Sequence, residues 1–193
     1  MSKNGKQETK KAEILAAGKR AFQKWGLSKT TMEDIAREAG KGKSTLYYYY
    51  KTKEEIFDSL LKMEMEALLS RAKESVQGVS SARERLRRYI VALVSDLSNG
   101  FPLVEIVRGE IVERPAFLQN MIREFEAEEV RFVQDILALG VRQNQFGFAN
   151  DREQEAMAEV ILRLVRAMEL DLFIAGHDGN HVEKAARLLA SGI

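Results

Sequence analysis

The chain has 193 residues, 45% hydrophobic, 31% charged and 8% aromatic, with two Pro and no Cys. This composition excludes a collagen, a disulfide scaffold and a disordered tail, and it supplies enough apolar surface for a core without a metal or crosslink. No charge-free stretch exceeds eight residues, far below the roughly 18 apolar residues of a membrane span, and the Lys-rich start lacks the apolar run of a secretory signal. A soluble chain is expected, and the missing Cys fits a reducing cytoplasm.

The net charge of +1 conceals an uneven distribution. Residues 1–53 carry 11 Lys and 2 Arg against Glu8, Glu13, Glu33, Asp34 and Glu38, a balance of +8, and the remainder carries −7. A basic end attracts polyanions through counterion release, whereas an acidic remainder repels them. Lys3, Lys6, Lys10 and Lys11 alone would be no more than a solvated terminus.

In chain order, Ile14, Ala17, Ala21 and Trp25 recur at helical spacing, with Leu15 and Phe22 beside them, and Gly26 supplies a stop. The predicted helix spans about 9–25. Thr31 is placed to cap a second helix, with Asp34 completing a capping box, and Gly40 ends it. Lys41-Gly42-Lys43 is the expected turn. A third helix runs from Ser44 through Tyr47, Tyr48, Tyr49 and Tyr50, and Thr52-Lys53-Glu54-Glu55 reads as a capping box opening a fourth that continues to about Ser75. Further helices are predicted at about 81–98, 101–114 (closed by Pro115), 116–146, 151–176 and 181–190, with neither a convincing strand nor a solenoid repeat.

If Leu46 and Tyr50 face inward, Ser44 and Tyr48 turn to the opposite side, flanked by Thr45 and Tyr47. That face offers hydroxyls, phenols and Lys43 to phosphate oxygens, and rings to sugars and thymine methyls. Four of the five tyrosines fall in this run. The competing reading is an aromatic core segment or a strand. Lys53 falls in a helical first turn, where unpaired amides already favour an anion, although a lysine there is commonly just solvated.

Ile14-Leu15-Ala16-Ala17, Phe22, Gly26, Thr30 to Ala36, Ala39-Gly40, Thr45 to Tyr50 and Lys53-Glu54 together resemble the N-terminal signature of the TetR family of bacterial transcriptional regulators. The resemblance covers about residues 9–60. It implies a helix-turn-helix at about 31–50 whose third helix enters the major groove. It further implies backbone contacts from Thr31, Thr45, Tyr47, Tyr48, Tyr49 and Lys53, and base reading from Lys43 and Ser44. The sequence departs from the pattern where Lys41-Gly42 replaces a Val-Ser-like pair, removing an apolar anchor from the turn. It departs again at Tyr49-Tyr50, where an inward Tyr50 needs a partner for its hydroxyl.

Beyond this head, stripes such as Leu86, Tyr89, Ile90, Leu93, Val94 and Leu97, and Phe117, Met121, Phe125, Phe132 and Ile136, fit either a solid core or a cavity wall. The resemblance raises the cavity, an effector site with Met63, Tyr89, Phe101, Arg108, Met121 and Phe125 as candidate lining; Arg108 and Glu105 could orient a polar ligand group or pair with each other. Ile161, Leu164, Met168 and Leu172, then Val182, Leu188 and Leu189, suit a twofold four-helix dimer interface. A dimer would set two recognition helices about 34 Å apart for a pseudo-palindrome. His177 and His181 are separated by Asp178-Gly179-Asn180, which interrupts the helix that would pair them; Asp178 could join them on a metal, but no further His or Cys exists to complete the set, so no metal is expected. Phosphate-loop, nucleophile-elbow and paired His-carboxylate motifs are lacking, so no enzyme and no cofactor is expected.

The expected protein is therefore all-α, with a DNA-binding head at 1–51 and a helical effector-binding and dimerisation domain at 52–193. It is expected to be a cytoplasmic, homodimeric, ligand-responsive repressor of a double-stranded DNA operator, with a largely apolar small-molecule effector and no membrane partner. The rival readings are an activator or ligand-independent regulator, a helical small-molecule carrier or enzyme that retains a DNA-binding-like head, and an architectural nucleic-acid binder.

Overall fold

The computed structural model describes residues 3–98, 106, 115–174 and 184–188, and every regular element among them is helical. The elements are α1 (Lys3–Lys29), α2 (Met32–Glu38), α3 (Lys43–Tyr49), α4 (Lys53–Glu74), α5 (Ala82–Ser98), α6 (Pro115–Arg142) and α7 (Asp151–Ile174), with a helical turn at 184–188. The chain divides into two compact units, Met1–Glu66 and Ala67–Ile193.

In the N-terminal unit, α1 starts earlier than its apolar periodicity, and Gly26 kinks it at φ 76°, ψ 162°. Thr30 is buried there and donates its hydroxyl to the Gly26 carbonyl at 2.6 Å. The expected box on α2 is present: Asp34 N donates to Thr31 Oγ1 at 3.2 Å, and the Asp34 carboxylate accepts from Thr31 N at 3.0 Å. The α2 end is a Schellman closure, with Lys41 N donating to Ala36 O at 3.0 Å, Gly40 N to Arg37 O at 3.1 Å, and Gly40 at φ 61°. This backbone closure, and the Lys41–Glu13 ion pair at 2.5 Å, hold the turn where the apolar anchor is absent.

Ile14, Phe22, Ile35, Leu46, Ile56, Phe57 and Leu60 are buried completely in this unit. The start of α4 belongs to it because Phe57 meets Phe22 edge-on at 5.7 Å and Glu64 pairs with Lys19 at 2.5 Å. Thr52 caps α4 by accepting from Glu55 N at 3.2 Å, but the Glu55 carboxylate reaches Lys51 N at 2.6 Å, one residue before the amide a regular box would use.

In the C-terminal unit, α5, α6 and α7 pack pairwise around Leu86, Tyr89, Ile90, Leu93, Val133, Leu137, Ile161 and Val165, each such burial contributing about 1.5–3 kcal/mol. Pro115 opens α6 instead of only closing what precedes it, as suits a residue with no amide to leave unpaired at a first helical position. A second Schellman closure ends α6 at Arg142: Gln145 N donates to Gly140 O at 2.8 Å, Asn144 N to Val141 O at 3.1 Å, and Asn144 takes φ 55°. The loop then caps α5, as Gln143 Oε1 accepts from Ala82 N and Gln145 Oε1 from Arg83 N, both at 2.9 Å. Residues 101–114 apart from Ile106, and 175–183, lie outside the described residues, and with them fall the helix predicted at 101–114, Glu105, His177 and His181.

The Phe146 ring lies over Gly140 so closely that a Cβ there would overlap it. Gly140→Ala is therefore expected to destabilise the protein by about 1–3 kcal/mol, despite alanine's better helix propensity. Urea titration followed by circular dichroism measures this, and an unchanged or raised midpoint would contradict the packing.

Candidate functional site

Leu46 is fully buried and Tyr50 is 8% exposed, and these two fix the inward side of α3. Tyr48 is consequently 65% and Tyr47 42% exposed, with Lys43 and Ser44 exposed and Thr45 and Tyr49 half-buried. The aromatic-core reading of this run therefore holds for Tyr50 alone. Burial raises the Tyr50 pKa, and its hydroxyl is satisfied by Ser59. Tyr48 and Tyr49 stack edge-on at 4.9 Å, and Gln7, on the N-terminal part of α1, donates to the Tyr48 hydroxyl at 3.3 Å.

Two cations of this face are already engaged. Lys43 Nζ pairs with the Glu33 carboxylate, and that hydrogen bond is the main cause of the lowered Glu33 pKa. Lys53 Nζ donates to Leu27 O at 2.8 Å and Ser28 O at 2.9 Å, capping the end of α1. An ammonium has three donors, so Lys53 keeps one for a phosphate unless it gives up a carbonyl. Thr31 is exposed but holds its hydroxyl on Asp34 at 2.6 Å. Gln7 and Glu33 escape a reading by motif, because only the folded head brings Gln7 to a residue 41 positions away.

The expected effector and dimer residues separate by burial. Tyr89 and Phe125 are buried in the C-terminal unit, whereas Met63 is 42% exposed and belongs to the N-terminal one. Phe101 and Arg108 lie outside the described residues, as do the side chains of Met121 and Leu172 and the whole of Val182 and Leu189. On α7, Ile161 is 1% exposed and fills the unit's own core, so it is not open to a partner. Leu164 is 42% and Leu188 66% exposed, and Met168 is half-buried. Met157 and Val160 stand exposed seven and four residues before Leu164, and Leu170 is exposed further along the helix.

A buried ionic group that the sequence reading missed lies among α5, α6 and α7. Arg166 donates to Glu129 and, at 2.7 Å, to Glu169. Both carboxylates are almost completely buried, and each keeps one oxygen without a partner, as does the fully buried Tyr89 hydroxyl. Each such atom costs about 1–3 kcal/mol. Burial pushes Glu129 up to about 7 despite the Arg166 guanidinium beside it, and burial also raises Glu169. The Tyr89 phenol is raised by burial and then by the Glu129 charge. The signal in the sequence is a Glu inside the stripe Phe125, Phe132, Val133, Ile136, and an Arg and a Glu inside Ile161, Leu162, Val165. Nearby, a cleft of about 380 Å³ is lined by Val76, Arg85, Phe132, Ile136, Leu139 and Arg142, and the Phe132 ring lies 4.8 Å from that of Tyr89.

A short recognition helix presenting phenols, hydroxyls and a lysine, set after a capped helix and a tight turn, defines a helix-turn-helix DNA-binding protein. Residues 14–60 match the model for bacterial regulatory proteins of the tetR family. The chain is similar to an uncharacterized HTH-type transcriptional regulator, YhgD of Bacillus subtilis, 24% identical over 82% of this chain and 81% of the relative. It is also similar to the HTH-type transcriptional repressor KstR2 of Mycobacterium tuberculosis, 26% identical over 74% and 72%. Among solved structures, the regulator FadR of Bacillus subtilis in complex with stearoyl-CoA superposes with a TM-score of 0.71 at 22% identity, over 94% of this chain and 98% of that one. That last likeness speaks for the fold. Residues 14–60 thus resemble the DNA-binding segment of tetR-family regulators, and the chain over most of its length is similar to HTH-type transcriptional regulators. Among the described residues no helix is long and apolar enough to cross a membrane.

Because the folded-state pKa of Glu129 lies above the usual glutamate value near 4.5, the native state binds the extra proton between the two. Its stabilising effect is complete below the lower value and is lost as pH rises through about 7. Thermal unfolding is expected to lose stability over that interval, by up to about 1.4 kcal/mol per pH unit for one proton, and Glu129→Gln should flatten the slope. A wild-type profile that rises over the same interval would contradict the assignment.

Proposed function

We propose that the protein is a ligand-responsive repressor that binds a pseudo-palindromic operator as a homodimer and releases it when a small molecule occupies the C-terminal unit. The observation that carries the DNA part is the face of α3, where Leu46 and Tyr50 point inward and Ser44, Tyr47 and Tyr48 outward. Tyr47, Tyr48, Tyr49, Thr31, Thr45 and the remaining donor of Lys53 serve phosphates; Lys43 and Ser44 serve base edges. Repression is favoured by the similarity to the transcriptional repressor KstR2. A small-molecule effector is favoured by a neighbour of the same fold that was solved with stearoyl-CoA bound. A chromosomal target sets the protein in the cytoplasm.

Two copies are needed to read two half-sites, and the exposed α7 side chains Met157, Val160 and Leu164, joined by Leu188, offer the surface to pair them. Helix α4 contributes residues to both units, which makes it the element through which ligand occupancy is felt. A ligand that favours one pose of α4 shifts the dimer away from its DNA-competent population, and one that fits both poses equally shifts nothing.

Selection of genomic fragments by the purified protein should recover a twofold-related site. Tyr48→Ala should weaken binding to it about ten-fold while leaving helicity intact, and Lys43→Ala should relax the sequence preference at one base pair of each half-site. Equal affinity for recovered and random fragments would sink the reading. The double variant Val160→Glu, Leu164→Glu should sediment as a monomer and lose most operator affinity; an intact dimer would move the interface elsewhere.

A further inference from the structure

We propose that the Tyr89, Glu129, Arg166 and Glu169 group is the polar end of the effector site and accepts the primary ammonium of an otherwise apolar molecule. This rests on the effector-responsive reading above and gives that site its ligand chemistry. One guanidinium faces two carboxylates and already donates to both. What it leaves over is one oxygen on Glu129, one on Glu169 and the Tyr89 hydroxyl, three buried polar atoms with no partner. Tyr89 and Glu129 have no solvent exposure and Glu169 has 6%, so bulk water does not satisfy them.

The class of ligand follows from what these atoms lack. All three can accept a hydrogen bond, and a primary ammonium presents three donors. In mildly alkaline solution, where Glu129 has given up the proton that burial holds on it below about 7, the ammonium also neutralises the carboxylate that Arg166 leaves uncompensated, as a buried charge requires. A carboxylate or phosphate would instead meet two carboxylates and a guanidinium already in use. A neutral alcohol would serve one acceptor with one donor and leave the charge unbalanced. A quaternary ammonium would bring the charge without any N–H. The remainder of the ligand must be apolar, because Leu86, Ile90, Leu93, Val133, Leu137 and Val165 fill the surrounding core. The Phe132 ring lies against Tyr89 and also lines the neighbouring cleft, with Lys73 Nζ 5.5 Å from its centroid, so a route in from that cleft requires this ring and this lysine to move aside.

The test is calorimetric titration of the full chain, in mildly alkaline buffer, with octylamine, octyltrimethylammonium, 1-octanol and octanoate. Octylammonium should bind once per chain and at least about ten-fold more tightly than the other three. The double variant Glu129→Gln, Glu169→Gln should lose this preference while keeping its affinity for octanol, and Tyr89→Phe should weaken octylammonium several-fold. The wild-type series decides even where the double variant fails to fold. Equal or tighter binding of octanoate, octanol or the quaternary amine overturns the proposal, as does a preference that survives in the double variant; absence of any octylammonium binding overturns it as well and leaves a buried water as the partner of these atoms. Operator release is read separately. Selective octylammonium binding without release keeps the ammonium site and removes the effector response, whereas release by octanol or octanoate alone keeps the response and removes the ammonium site.

Discussion

The DNA-facing architecture depends on the burial of one leucine. Leu46 has no exposure, and α3 is only seven residues long, so a single fully inserted side chain fixes the rotation of the whole helix. At about 100° per residue the positions two before and two after it turn outward. Tyr50, at the helix end, adds a second anchor whose hydroxyl is satisfied by Ser59. The N-terminal closures supply the other half of this constraint. The box on α2 and the left-handed Gly40 set where α3 begins, and neither uses a side chain of α3.

Much of the head could be read from residue order, because its determinants are local. Thr31 with Asp34, Gly26 and Gly40 act within a few positions of themselves; the first pair and Gly40 operate as their spacing implies, whereas Gly26 kinks α1 instead of ending it and the helix runs on to Lys29. The inward pair and the exposed tyrosines followed from helical periodicity. What periodicity does not carry is partnership. Nothing in the spacing shows that Lys53 reaches back 26 residues to Leu27, or that Glu33 holds Lys43. A summed charge of +8 therefore overstates how much of it is unengaged.

In the C-terminal unit the stripes revealed helices but not which sides meet. Ile161 reads equally well as a core or an interface residue, and only packing places it inside, while Met157 and Val160 remain outside on the same helix. The buried ionic group was hidden for a related reason. Glu129, Arg166 and Glu169 occur in a chain where nearly a third of residues are charged, and such residues are ordinarily solvated. Their meaning depends on α6 and α7 bringing positions 37 apart into contact.

The Lys43–Glu33 pair bears on how a regulator finds its address. A chromosome presents an enormous excess of wrong sequence, and every unscreened cation makes the protein dwell on all of it alike. A lysine held by its own carboxylate contributes little to such indiscriminate adhesion. On the proposed reading of Lys43 as a base-edge contact, it is surrendered to the duplex only where base edges outbid the acid, and the internal counter-charge then trades raw grip for discernment.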